Sequence, residues 1–232
     1  MEIRIHNLVK KYGPSFELNI PQCQIPSGQI FGLVGNNGAG KTTIFKLILD
    51  LIQADHGSVC IGETPVHQSE EWKHFTGSYL DNHALIEFLT PEEYFLFVGS
   101  LYKLSQRDIF LRLGLFRDFF NGEVLNQNKY IRDLSQGNKQ KTGIAAALMI
   151  NPSVLILDEP FNMLDPRSQI ILLNLLKKYN YDYQSTILIS SHNLNHMINL
   201  CHRIAILEHG YMVSDEMTND KPIRKCEQYF TN

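Results

Sequence analysis

The stretch Gly35–Thr43, GNNGAGKTT, has residue types and spacing suited to binding phosphate. Its glycines let the backbone curl so that consecutive N–H groups point at phosphate oxygens. Lys41 is placed to reach the β- and γ-phosphates of a nucleotide, and the Thr42 hydroxyl is placed to ligate Mg²⁺. The nucleotide-binding residues expected here are Gly35, Asn36, Asn37, Gly38, Ala39, Gly40, Lys41, Thr42 and Thr43.

A pair of carboxylates follows the apolar run VLIL in the stretch VLILDEP. Asp158 comes where a buried strand is expected to end, and open α/β sheets place ligand-binding groups there. We expect Asp158 to hold Mg²⁺ through water. Glu159 is the candidate base, or the group that orients an attacking water. With the glycine-rich loop, this pair predicts a site for nucleotide hydrolysis.

Both motifs require strands that end at one edge of a sheet. The apolar runs in QIFGLVG, PSVLILDEP and STILISS predict buried strands, and GKTTIFKLILDLI, PRSQIILLNLLKKY and LNHMINLC predict helices. Buried strands that alternate with helices predict an α/β fold with a largely parallel sheet. The first thirty residues predict short strands joined by turns, and RIAILEHGYMVSD predicts a hairpin that turns at His209-Gly210.

A helical block separates the two halves of this pattern. Thr90 can cap a helix that has Pro91 in its first position, and Glu93 completes a capping box. DIFLRLGLF and GNKQKTGIAAALMI predict further helices in the block. We also expect a helix from Pro222 onward.

Composition limits the classes of protein that fit. The net charge of -3 and the pI of about 6.3 show no basic excess, so we expect no nucleic-acid partner. The cysteines form no C-x-x-C pair, which fits a reducing compartment. The apolar runs fall short of the roughly 18 residues of a membrane span, and MEIRIHNLVKKYG lacks the apolar core of a secretory signal. A soluble chain is expected, whose membrane role would need a separate partner. The cysteines are Cys23, Cys60, Cys201 and Cys226.

A second polar loop, LSQGNKQK (residues 134–141), runs directly into an apolar helical stretch. Ser135 can cap the helix, and Gly137 allows close approach of the backbone. The free N–H groups and the helix dipole would then face an anion. The alternative is an ordinary helix N-terminus without a ligand.

Six stretches, KKYG, GNNGAGKTT, LSQGNKQK, LILDEP, NMLDP and SSHN, occur in the order of the motifs of the ATP-binding cassette. The chain therefore resembles the nucleotide-binding domain of ABC transporters over essentially its whole length. The resemblance implies an α/β P-loop NTPase core with an N-terminal antiparallel β-subdomain and an inserted helical subdomain. A single domain would span residues 1–232. Its ATP-binding core and β-subdomain would comprise residues 1–81 and 151–232, and its helical subdomain would comprise residues 82–150. ATP and Mg²⁺ are the implied cofactors.

The resemblance implies roles for three more residues. Tyr12 matches the aromatic residue that stacks on adenine, although a turn tyrosine could simply pack on the β-subdomain. Asp165 matches the D-loop aspartate that communicates across the dimer, and it could also cap the helix that follows. His192 matches the switch histidine that donates to the γ-phosphate.

The loop LSQGNKQK matches the signature usually written L-S-G-G-Q. Ser135 and Gly137 are retained, whereas Gln136 and Asn138 replace the first glycine and the final glutamine. The resemblance implies that Ser135, Gln136 and Gly137 face the γ-phosphate bound by the other subunit.

The loop between the core and the helical subdomain departs from the family, which has Gln or Glu there. Counting back from LTPEEY places Asp81 at this position, and we expect it to sense Mg²⁺. A shift by one residue would place the Asn82 amide there instead. If exposed, Leu85, Ile86 and Phe88 would suit the groove that receives a short helix of the membrane subunit.

The resemblance implies the ATP-hydrolysing subunit of a transporter, whose partners are a membrane permease and a second ATPase subunit, usually an identical copy. It would lie in the cytoplasm on the inner face of the membrane. A single cassette of this length is similar to the ATPase subunits of small bacterial export-type systems. The alternative is a soluble cassette that serves as an assembly scaffold or a regulatory ATPase.

Overall fold

The computed structural model describes residues 1–218, so the helix predicted from Pro222 lies outside the described residues. Its strands are β1 (Ile3–Tyr12), β2 (Phe16–Ile25), β3 (Ile30–Val34), β4 (His56–Ile61), β5 (Thr64–Pro65), β6 (Thr76–Tyr79), β7 (Val154–Leu157), β8 (Thr186–Ser191), β9 (Arg203–Glu208) and β10 (Tyr211–Met217). They form one sheet in the order β5-β4-β1-β2-β10-β9-β3-β8-β7-β6.

The helices lie on both faces of this sheet. They are α1 (Lys41–Ile48), α2 (Pro91–Leu101), α3 (Gln106–Leu113), α4 (Arg117–Phe120), α5 (Gln136–Met149), α6 (Pro166–Tyr183) and α7 (Leu194–Leu200). Short 3₁₀ turns cover Glu71–Phe75, Asn82–Ala84, Gly114–Phe116 and Ile131–Asp133. No helix within residues 1–218 is both long and apolar enough to cross a membrane.

The parallel part of the sheet places the loops of the predicted site together. β3 pairs in parallel with β8 and β9, and β7 pairs in parallel with β8 and β6. In this register Val34 lies opposite Ser191, and Leu157 lies opposite Ile189. The carboxyl ends of β3, β7 and β8 therefore meet at one edge, which confirms the predicted α/β architecture.

The antiparallel part begins with two ten-residue strands, longer than the short strands predicted. β1 pairs with β2 and β4, and the β1–β2 ladder extends to Tyr12 opposite Phe16. The predicted hairpin at the other end is confirmed, because Glu208 lies opposite Tyr211 and His209 and Gly210 both have positive φ. β10 meets β2 through one parallel pair, Tyr211 and Asn19, which joins the two parts of the sheet.

Alternation along the strands divides the core between the two faces. In β3, Ile30 and Val34 join the apolar cluster that contains residues of α5, α6 and α7. Phe31 and Leu33 join the other cluster, which contains the apolar face of α1. Each face of the central strands is thus covered by helices, as the continuous apolar runs predicted.

The segment between β6 and β7 forms α2 to α5. The predicted capping box is confirmed, because the Glu93 N–H donates to the Thr90 hydroxyl at 3.3 Å and the Thr90 N–H donates to the Glu93 carboxylate at 2.8 Å. Residues 139–149 of α5 are buried throughout. Leu85 does not meet the condition for a partner contact, since its side chain is 5% exposed and packs in the core with these helices. Phe88 is 68% exposed.

Candidate active site

The glycine-rich loop connects β3 to α1, and close packing explains its glycines. A Cβ on Gly35 would lie 2.3 Å from the Leu207 carbonyl oxygen of β9. Gly38 and Gly40 have φ values of 82° and 109°, which L residues rarely adopt. Since the loop opens α1, its backbone N–H groups and the positive end of the helix converge on one space.

The ammonium group of Lys41 lies inside this loop. It donates to the carbonyl oxygens of Gly35 at 2.7 Å and Asn36 at 3.3 Å. It also lies 3.1 Å from Glu159 Oε1, an ion-pair contact that lacks hydrogen-bond geometry. Lys41 is buried, so this contact joins the two predicted motifs within a water-poor environment.

The Asp158 carboxylate follows β7 and is surrounded by hydroxyl groups. Thr42 donates to one of its oxygens and Ser190 of β8 donates to the other. Burial raises the pKa of Asp158 above its ordinary value, while these two hydroxyl donors act in the opposite direction. Thr42 and Asp158 together provide the oxygen ligands that Mg²⁺ prefers.

Glu159 occupies the mouth of the site in an unusual backbone conformation. Its φ of 47° places a non-glycine residue in the left-handed region, at a cost of about 1–2 kcal/mol. Its N–H donates to the Ser190 hydroxyl at 2.8 Å. His192, which follows β8, contacts Glu159 Oε2 through its ring Nδ1 at 3.0 Å and its backbone N–H at 3.3 Å. Strands β3, β7 and β8 thereby bring Lys41, Glu159 and His192 together.

A cavity of about 260 Å³ opens above the loop. Its lining residues are Phe16, Asn36, Asn37, Gly38, Gly40, Lys41, Thr42, Thr43 and Glu159. Phe16, which the sequence analysis did not select, forms the aromatic wall, and its ring lies against Gly40. Tyr12 is 46% exposed and does not line the cavity, but its ring centroid lies 6.2 Å from that of Phe16.

Asp81 and Asn82 make different contacts. The Asp81 carboxylate accepts from the His83 N–H at 2.8 Å and caps the turn Asn82–Ala84. The Asn82 amide lies 2.9 Å from the Gln136 amide at the start of α5. Neither contact tests the predicted role of Asp81 toward Mg²⁺, which stays a prediction.

The predicted signature residues lie at the N-terminus of α5, outside the cavity described above. Ser135 caps the helix by accepting from the Asn138 N–H at 3.2 Å. The alpha carbon of Gly137 packs closely on the chain itself, since a Cβ there would lie 2.7 Å from the Met163 carbonyl oxygen. Asp165 caps α6 by accepting from the Ser168 N–H at 3.0 Å, and the bond from the Ser168 hydroxyl lowers the pKa of Asp165.

This fold and site define a P-loop ATPase of the cassette type. The sequence model of the ABC transporter family matches residues 18–162. The bacitracin transport ATP-binding protein BcrA of Enterococcus faecalis is 32% identical over 234 residues, an alignment that covers 99% of this chain and 73% of that protein.

Solved structures agree with this assignment. An ATP-binding subunit of an ABC transporter is 25% identical and has a TM-score of 0.87, with both chains covered completely. A dimeric post-hydrolysis state of the ATP-binding cassette MJ0796, with ADP and Pi bound, shares the fold at 23% identity and a TM-score of 0.81. That alignment covers 94% of this chain and all of the other. The chain belongs to the ABC transporter family as an ATP-binding subunit, and it is an ABC-type ATPase.

Proposed function

We propose that this chain hydrolyses ATP to drive substrate movement through a separate membrane subunit. The observation that carries the proposal is the position of the Glu159 carboxylate, between Lys41 and His192 at the mouth of the phosphate-binding loop. The similarity to BcrA, a bacitracin transport ATP-binding protein, supports the link to transport. The chain would act in the cytoplasm on the inner face of the membrane. We also retain a single ABC ATPase domain for residues 1–232, with residues 82–150 as its helical subdomain.

The loop Gly35–Thr43 would hold the phosphates of ATP through its N–H groups and Lys41. To reach a phosphate, the Lys41 ammonium must leave the carbonyl groups and the carboxylate that it now contacts. Nucleotide binding would therefore release Glu159 from its ion pair. Thr42 and Asp158 would hold Mg²⁺, with Asp81 sensing it, and the bound ion would neutralise charge on the phosphates.

Hydrolysis would depend on Glu159 and His192. With Lys41 on the phosphates, the Glu159 carboxylate is available to accept a proton from the attacking water or to orient it. His192 would donate to the γ-phosphate and, through the contact at 3.0 Å, hold the carboxylate in place. The left-handed backbone of Glu159 directs its side chain into the cavity.

Two aromatic residues would hold the base. Phe16 forms the wall of the cavity, and Tyr12 packs beside it from the opposite strand of the hairpin. Adenine would stack on the surface that these two rings form.

The second ATP-binding surface would be the signature loop. Within residues 1–218, the cavity is not lined by Ser135, Gln136 or Gly137 of the same chain. Facing a second copy with two-fold symmetry, they would bind the γ-phosphate held by that copy, and Asp165 would lie at the same interface. The dimeric state of the MJ0796 cassette supports this arrangement. ATP binding would close the pair and hydrolysis would open it.

The exposed ring of Phe88, beside half-buried Ile86, would contact the membrane subunit. Both residues lie between β6 and α2, in the loop that leads from the core into the helical segment. An exposed aromatic residue in such a loop suits a helix from a partner.

Replacing Glu159 with glutamine tests the proposal. Glu159→Gln keeps the size of the side chain but removes the base, so hydrolysis should fall by about 100-fold or more while ATP binding remains. The variant should accumulate as an ATP-dependent dimer in size-exclusion chromatography with light scattering. Glu70→Gln, at an exposed carboxylate paired with Lys73, is the control and should behave as wild type. Wild-type hydrolysis by Glu159→Gln would exclude Glu159 as the catalytic group.

Transport itself requires a separate measurement. The chain should co-purify with a membrane protein of several spans when it is isolated from its native host. Reconstituted in liposomes, the pair should couple hydrolysis to substrate movement, and the Glu159→Gln pair should not. Co-purification with soluble assembly proteins alone would favour the scaffold function instead.

A further inference from the structure

A row of polar side chains connects the signature loop to the backbone of Glu159. The Gln136 amide lies 2.9 Å from the Asn82 amide, which in turn contacts the Tyr79 hydroxyl. That hydroxyl lies 3.0 Å from the amide oxygen of Gln140, whose amide nitrogen donates to the Glu159 carbonyl oxygen at 3.2 Å. The row thus begins next to Ser135 and ends on the residue proposed to activate water.

The Tyr79 hydroxyl lies at the centre of the row. It faces the side-chain oxygens of Asn82 and Gln140 and shares its one proton between them. Gln140 donates to the Glu159 carbonyl through its amide nitrogen, so its amide oxygen is the atom that faces Tyr79. The Asn82 amide nitrogen donates to the Gln136 amide oxygen at 2.9 Å. Four polar contacts therefore link Gln136 to Glu159 through the Tyr79 hydroxyl.

Burial makes the hydrogen bonds of Tyr79 and Gln140 costly to break. Tyr79 and Gln140 are almost completely buried, and the Tyr79 ring lies against Gly143 of α5, where any Cβ would collide with it. A buried polar group that loses its partner is costly, so the members of the row hold one another in place.

The last bond acts on a backbone that is held at both ends. The Glu159 N–H donates to Ser190 of β8, and its carbonyl accepts from Gln140 of α5 and from the Asn162 N–H at 3.1 Å. A shift of α5 relative to the sheet would therefore move the carbonyl of Glu159 while its N–H stays fixed to β8. Because φ of Glu159 is in the left-handed region, its conformation depends on these contacts.

We propose that Gln136, Asn82, Tyr79 and Gln140 form a positioning relay. Through it, the signature loop that engages the nucleotide of a second copy orients Glu159 toward the nucleotide in its own cradle. The inference rests on the proposed function of Ser135 and Glu159. It gives a purpose to Gln136, which stands where the family has a glycine and which supplies the first amide of the row. None of the four residues lines the nucleotide cavity of its own chain.

Two substitutions break the relay with little change in packing. Tyr79→Phe removes one hydroxyl and keeps the ring, and Gln136→Met removes one amide from an exposed helix start. Tyr102→Phe is the first control, since the Tyr102 hydroxyl contacts backbone carbonyls of Lys73 and Thr76 outside the relay. Gln106→Met is the second, because exposed Gln106 also follows a capping serine at a helix start.

The first readout is amide hydrogen exchange without nucleotide. In Tyr79→Phe and Gln136→Met, the backbone amides of Glu159, Phe161 and Asn162 should exchange about three- to tenfold faster than in wild type, because the carbonyl of Glu159 loses a fixed partner. The two controls should exchange as wild type does. This readout does not depend on hydrolysis, so it separates failure of the relay from failure of the proposed function, which Glu159→Gln tests.

The second readout is ATPase kinetics. Tyr79→Phe should lower kcat about tenfold and Gln136→Met about threefold, while the ATP affinity of the monomer stays within about twofold of wild type. The double variant should resemble Tyr79→Phe alone, since both changes interrupt one row. The relay is overturned if Gln136→Met, or a folded Tyr79→Phe, matches the control variants in both exchange and kcat.

Discussion

Phe16→Ala should weaken ATP binding about tenfold, because it removes the aromatic wall of the nucleotide cavity. A base that stacks on an aromatic side chain gains about 1–3 kcal/mol. One face of Phe16 already packs toward Tyr12, so we take the lower half of that range, about 1.5 kcal/mol, which corresponds to about tenfold in Kd. Tyr12→Ala should weaken ATP binding by about threefold or less, since Tyr12 is 46% exposed and does not line the nucleotide cavity.

Isothermal titration of the monomer with Mg²⁺-ATP and with Mg²⁺-triphosphate measures both effects. Triphosphate has no base, so its affinity should be the same for wild type and Phe16→Ala, and Phe16→Tyr should restore ATP binding. Thermal melting checks that the hairpin remains folded. The reasoning is refuted if Phe16→Ala binds ATP as wild type does, or if triphosphate affinity falls equally. A larger loss in Tyr12→Ala than in Phe16→Ala would make Tyr12 the principal contact with adenine.

Three further predictions concern the phosphate loop and the metal. Burial raises the pKa of Asp158, so the folded chain binds the carboxyl proton more tightly than the unfolded chain does. The free energy of unfolding therefore falls as the pH rises from the pKa of Asp158 in the unfolded chain through its pKa in the folded chain. In EDTA, Asp158→Asn should melt above wild type near neutral pH, with the difference shrinking as pH falls through the Asp158 pKa; a lower melting temperature at neutral pH would contradict this. In Gly38→Ala the added Cβ meets open space, but the positive φ of this position disfavours alanine. The substitution should lower the free energy of unfolding by about 1 kcal/mol and the melting temperature by about 2–4 °C. Gly35→Ala would press on the Leu207 carbonyl and should melt lower still; equal melting of the two variants would count against the packing argument. Asp81→Asn keeps the cap on His83 but removes the charge, so it should lower the Mg²⁺ dependence of ATP affinity as much as Asp81→Ala does. An unchanged Mg²⁺ titration in both variants would exclude Asp81 as a metal sensor.

Local signals predicted much of this architecture. Thr90, Pro91 and Glu93 form the expected capping box because its bonds lie within one helical turn. The phosphate loop, Asp158 and His192 follow apolar strands, and parallel strands bring their carboxyl ends together.

The missed features depend on contacts between distant segments. Strand β6, Thr76–Tyr79, has no apolar run, and it lies close to α5 through Gly77 and the Ala147 carbonyl. Phe16 reaches the cavity because the β1–β2 hairpin folds over Gly40, which no local pattern shows. The contact from Tyr79 to Gln140 spans 61 positions.

Leu85 shows a different limit of local patterns. Periodicity identifies apolar segments, but in a loop it does not show which side chain enters the core. Leu85 is buried among residues of the helical segment, whereas Phe88, three positions later, is exposed. Only the three-dimensional packing separates a structural residue from a candidate contact for a partner.

The central claim is that each ATP lies between the phosphate loop of one copy and the signature loop of another. Mixing two inactive variants, Lys41→Ala and Ser135→Arg, tests it directly by steady-state ATPase. Each mixed pair would keep one intact site, so an equal mixture should recover about a quarter of the wild-type rate, since half of the pairs are mixed. With both changes in one chain, mixing with wild type should leave every mixed pair inactive. Two results together would contradict the claim: the mixture of the two single variants recovers no ATPase activity, and the pairs of the double variant with wild type are half active. They would show instead that the signature loop serves the nucleotide of its own chain.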